Sequence, residues 1–136
     1  MLELARRFFK PLRIVLWVGV IAAGVYLMVR FDLASLPKGS CSPLLAISPG
    51  DRMWIDRKPR EPMIGDMVLF EDPGSDRYLL GRIVEAPDAL TPQARGMIDA
   101  GALWIEGDNS GCAVRDSRLL GPIKPDKLAG RVIMTL

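Results

Sequence analysis

The sequence predicts a mainly β domain behind one N-terminal transmembrane helix. An uncharged apolar run from Ile14 to Val29 gives the helix. Short apolar runs bounded by Pro, Gly and Asp after Arg30 give the domain, with only one short stretch of helical character among them.

The run IVLWVGVIAAGVYLMV lies between Arg13 and Arg30. With Leu12, Phe31 and the arginine stems it reaches roughly the 20 residues that cross a bilayer. It has no polar face, which argues against a core helix of a soluble protein. It is also longer than the roughly 7 to 15 apolar residues of a cleavable signal peptide, so a retained anchor is the reading. Arg6, Arg7, Lys10 and Arg13 precede it against Glu3 alone, while Asp32 follows Arg30. This basic excess predicts a cytoplasmic N-terminus and an extracytoplasmic domain, periplasmic in a bacterial-type inner (plasma) membrane. The expected boundaries are a tail over 1–11, the membrane helix over 12–31 and the β domain over 32–136.

The strand candidates are MWI at 53–55, MVLF at 67–70, YLL and RIV within 78–84, ALWIE at 102–106 and the terminal RVIMTL. Pro49, Gly50 and Asp51, then Asp72, Pro73 and Gly74, mark turns between them. Pro92 to Asp99 is the helical candidate. The 136 residues carry a formal charge of only +2, which makes no case for nucleic acid as a partner. There is no histidine, which excludes every Ser-His or Cys-His arrangement. The spacing of Cys41 and Cys112 fits no metal motif, and neither a metal nor a cofactor is expected. Both cysteines follow the anchor, in the compartment where disulfides persist.

Three blocks carry a resemblance that covers nearly the whole chain. Gly107, Asp108 and Asn109, then Asp116, Ser117 and Arg118, then Gly121, Pro122 and Ile123, then Gly130 and Arg131 form one. Gly65, Asp66, Met67, Val68, Leu69 and Phe70 form the second, and Gly39, Ser40, Cys41, Ser42, Pro43, Leu44 and Leu45 the third. Taken in chain order they resemble the blocks of the type I signal peptidases, membrane-anchored serine peptidases that remove signal peptides. The resemblance implies a signal-peptidase-type β domain with Ser40 as candidate nucleophile. It also implies a signal peptide or preprotein, or neighbouring transmembrane subunits, as partners at the membrane. Ser35, in Ser35-Leu36-Pro37-Lys38-Gly39, resembles the Ser-x-Pro-x-Gly of conjugative-transfer relatives, and is the alternative nucleophile or an oxyanion donor.

The family's base is a lysine just before an Arg-Val-Val segment, and here that position, before Arg82, holds Gly81. Arg82 cannot serve, because a guanidinium stays protonated. Lys58 reads as part of a solvated turn, and Lys38 stands too close to Ser40 along the chain to face it without an unusual loop. The family serine that orients the lysine has no clear equivalent, although Ser110 is near. Cys41 replaces the family's methionine beside the nucleophile, and Cys112 falls inside a block that approaches the active site in the family fold. A Cys41–Cys112 disulfide and two unlinked thiols are both compatible with the sequence. These departures favour a catalytically impaired or inactive relative, a pseudoenzyme serving as a binding or accessory subunit of a membrane complex. The alternative is an active membrane serine endopeptidase that removes signal peptides with Ser40 and an unrecognised base.

Overall fold

A computed structural model describes residues 2–136, with side chains from Phe9 onward. The chain forms two compact units, Met1–Phe31 and Asp32–Leu136. The first is helix α1, Leu2–Arg30, which runs through most of the expected tail and stops one residue short of the expected end. Its stretch Phe9–Arg30 is long and apolar enough to span a membrane, with a mean hydropathy of 2.2. At its C-terminal end the Arg30 guanidinium donates to the Tyr26 hydroxyl at 2.8 Å, one helical turn back.

The second unit is built on β1 (Phe31–Ser35), β2 (Arg52–Asp56), β3 (Met67–Glu71), β4 (Tyr78–Val84), β5 (Trp104–Glu106) and β6 (Leu128–Thr135). They form one sheet in the order β1-β2-β6-β3-β4-β5. Strand β2 pairs with β6, β3 with both β4 and β6, and β4 with β5, each antiparallel. With α1 counted, the fold is mixed α/β. The two runs expected at 78–84 are one continuous strand, because Gly81 stays in the ladder opposite Val68. Strand β1 had no clear signal: FDLAS is half polar, and only Ala34 and the following Leu36 turn inward. Helix α2 occupies Pro92–Asp99, with Pro92 in its first turn and the Thr91 hydroxyl accepting from the Ala94 N–H at 3.2 Å. A short helix α3 covers Ser117–Leu120.

Alternation along the strands divides the core between two faces. On one, Met53, Ile55, Leu80 and Val132 pack with Leu44 and Ile47 from the β1–β2 loop. On the other, Val68, Phe70, Ile83 and Ile105 pack with Ile123. The loop bearing Ser40 is thus a lid of the first cluster, and the chain around α3 covers the second. At Gly130 on β6 the approach of β2 leaves no room for a side chain, since a Cβ there would stand 2.4 Å from Ile55 Cγ2 and 2.7 Å from the Asp56 carbonyl oxygen.

Candidate functional site

The β1–β2 loop and the loop after β5 are held together covalently and by hydrogen bonds. Cys41 and Cys112 form a disulfide across a Cα–Cα distance of 5.7 Å. Asp108 accepts from the Leu45 N–H at 2.7 Å. Asn109 donates through its side chain to the Ser42 carbonyl at 2.8 Å and through its backbone to the Pro43 carbonyl at 3.1 Å. Two segments far apart in sequence therefore make one rigid wall. From β4, Arg82 Nε stands 3.6 Å from Asp108, and its guanidinium donates to the Gly65 carbonyl at 2.9 Å, tying the turn before β3 to the same place.

Asp116 anchors this wall from beneath. Its carboxylate is 1% exposed and accepts from the Gly107 N–H at 3.0 Å, the Arg118 N–H at 3.0 Å and Arg118 Nε at 3.1 Å. Burial works against its charge, yet the Arg118 side chain and the two backbone donors outweigh it and hold the carboxyl below its ordinary range. As cap of α3, Asp116 places Ser117, whose buried hydroxyl accepts from the Ile105 N–H at 2.8 Å. The block Gly107, Asp108, Asn109, Asp116, Ser117, Arg118 is in this structure a hydrogen-bonded support for β5 and the disulfide wall.

An open groove of about 570 Å³ lies against that wall. Met53, Leu69 and Leu80 contribute sheet residues to it, while Cys41 and Cys112 bring the disulfide to its side. Ser35 lines the groove. The Ser40 hydroxyl instead donates to the Pro37 carbonyl at 2.6 Å, closing a local turn. Among the described residues no lysine donates to either hydroxyl. The Lys38 stem lies over the Gly50 turn, its Cγ 3.1 Å from where a Cβ on Gly50 would stand. Lys58 is exposed in the turn after β2, where its N–H donates to Asp56.

Gly81 lies elsewhere. It pairs with Val68 and presents to the Phe70–Ile105 cluster, whereas its neighbour Leu80 belongs to the face that the Ser40 loop covers. A Cβ on Gly81 would meet Ile105 Cγ2 at 2.4 Å and Phe70 Cε1 at 3.5 Å. The volume that a lysine stem would need is already core. Gly81→Lys is therefore expected to lower stability by about 1–3 kcal/mol, the usual effect of overpacking. Urea denaturation of the variant beside wild type measures this, and an unchanged midpoint would contradict the packing.

Sequence reasoning read Asp72 only as a turn residue and missed its partner Arg115. Asp72, at the β3–β4 turn, accepts from the Gly74 N–H and the Ser75 hydroxyl at 3.0 Å each. The Arg115 guanidinium, from the segment after Cys112, donates to it at 3.0 Å. The Gly74 N–H, then Ser75 and Arg115, hold the Asp72 carboxyl below its ordinary value against its desolvation. This pair clasps the hairpin to the chain beyond the disulfide. Its only sequence signal was the turn pattern Asp72-Pro73-Gly74, which foretells a turn and not its partner. No protein-family model matches the chain, and no curated protein matches it.

Proposed function

We propose that this chain is a membrane-anchored, non-catalytic relative of the type I signal peptidases. Its groove holds an apolar segment of another membrane or secretory protein without cutting it, as a binding or accessory subunit, with the N-terminus cytoplasmic and the domain outside. The carrying observation is the occupied space at Gly81. The position that matches the family's lysine has its side-chain volume filled by Ile105. A serine hydroxyl is a poor nucleophile without a base, and removing a base typically slows such chemistry by about two to four orders of magnitude. The bond from Ser40 to the Pro37 carbonyl supports the same reading, since the hydroxyl proton is engaged by a carbonyl that cannot accept it as a base.

The groove suits binding. Met53, Leu69 and Leu80 give it apolar sheet surface, and the disulfide wall is fixed before any ligand arrives, which lowers the ordering cost of association. The test is the full chain in proteoliposomes with a radiolabelled preprotein, beside Ser40→Ala and Ser35→Ala, with a photo-crosslinker at Ala113 on the groove wall. The expected result is a crosslinked adduct and no cleavage by any of the three proteins. Cleavage that disappears in either serine variant would establish an active endopeptidase and overturn the proposal.

A further inference from the structure

The sheet has a second exposed feature, on the face turned away from the Ser40 loop and at the β1-β2-β6 end. Trp54 and Met134 are register partners across β2 and β6, so their side chains share a face. Leu136 follows two residues on, its N–H donating to the Arg52 carbonyl at 2.8 Å, which brings Arg52 and Leu136 into the same row. On β1, next to β2, Ala34 and Leu36 turn into the core, so alternation puts Leu33 outward. The outward row thus reads Leu33, Arg52, Trp54, Met134, Leu136, none of them acidic.

Its apolar members are all substantially exposed: Leu33 51%, Trp54 41%, Met134 50% and Leu136 62%. Pairing shifts between Trp54–Met134 and Ile55–Val132, which leaves Ile133 as an extra residue, itself 48% exposed. A contiguous apolar patch on a domain surface marks an interaction site, and the chain limits which one. Leu33 is three residues beyond Arg30, so extended backbone allows at most about 10 Å between it and the end of the membrane-spanning stretch. Tryptophan beside long aliphatic side chains and a cation is the composition that settles at the level of lipid headgroups.

We propose that this face rests on the bilayer surface, with Trp54, Leu33, Met134 and Leu136 among the headgroups and Arg52 against an anionic lipid phosphate. The proposal rests on α1 crossing the membrane and is independent of the peptidase resemblance.

The test uses the full chain carrying Trp17→Phe, reconstituted in phosphatidylcholine vesicles with or without phosphatidylglycerol and with shallow-brominated acyl chains as quencher. Flotation with the vesicles reports the anchor separately. The Trp54 signal is the difference from the same chain with Trp54→Phe. Its quenching by brominated lipid is expected, stronger in the anionic vesicles, with that increment lost in Arg52→Gln. Leu33→Glu combined with Met134→Glu, both at exposed positions, is expected to abolish the quenching with an unchanged circular dichroism spectrum. An unquenched Trp54 in floated protein overturns the proposal. So does a Trp54 emission that shifts with the protein-to-lipid ratio but not with brominated lipid, which would give the face to a second copy of the chain. Equal quenching in neutral and anionic vesicles would overturn the role of Arg52.

Discussion

Replacing Cys41 and Cys112 together by serine is expected to lower the stability of the 32–136 unit by about 4 kcal/mol. The estimate follows from the 71-residue separation of the two cysteines: cutting the link frees a long closed loop in the unfolded chain, and the chain-entropy model gives about 4 kcal/mol for that length. The native loops are not expected to separate. Leu45 with Asp108, Ser42 with Asn109 and Pro43 with Asn109 still bridge them without the sulfurs. The effect therefore acts mainly through the unfolded state. Urea denaturation in detergent should show the midpoint falling by roughly 2 M at ordinary m values for a domain this size. Wild type in reductant should match the double serine variant. A midpoint insensitive to both changes would mean that the link does not constrain the unfolded chain, and free thiols at both positions in non-reducing peptide mapping would remove the basis altogether.

Asp116→Ala is expected to cost about 3 kcal/mol, because it leaves the buried Gly107 N–H unsatisfied and strips the Arg118 guanidinium of its carboxylate. The loss should spread to β5, since Ser117, positioned by the Asp116 cap, holds the Ile105 N–H. Hydrogen exchange at Ile105 and Gly107 is then expected to accelerate before global unfolding. The isosteric Asp116→Asn separates charge from shape. The Asp116 carboxyl is held below its ordinary value, so its stabilisation is complete above the unfolded-state pKa of about 3.9 and is lost as pH falls through the folded-state value. The stability gap between wild type and Asp116→Asn should therefore be widest above about pH 5 and narrow toward pH 2. A gap that stays constant across this range would assign the effect to hydrogen-bond geometry alone.

Much of the domain was legible because its signals are local. Thr91-Pro92 opens α2 where a cap and a first-turn proline belong, and α2 ends at Asp99 as expected. MVLF after Gly65-Asp66 became β3, and MWI became the centre of β2. Strand β1 escaped because its inward residues are only Ala34 and Leu36, too few and too small to stand out against Asp32 and Ser35. Its place in the sheet comes from β2 alongside it and from Leu36, which exchanges backbone bonds with Gly50 and Asp51. Helix α3 is four residues long, and its cap bonds to Gly107 and Arg118 rather than to an apolar period.

The site divides in the same way. Composition settled by itself that no histidine chemistry operates here, because a residue that is absent needs no fold to rule it out. The apolar run settled that one N-terminal helix is long and apolar enough to span a membrane, since that length is fixed by bilayer thickness. Which of the two cysteine states holds was decided only when the β1–β2 loop met the loop after β5, bringing Cys41 and Cys112 into bonding range. Likewise, Gly81 in the sequence was a missing side chain. In the structure it is a contact with Ile105 and Phe70 on the face opposite Leu80. Local pattern records what each residue can do, but the face it is given follows from strand register, and register is set by partners distant in the chain.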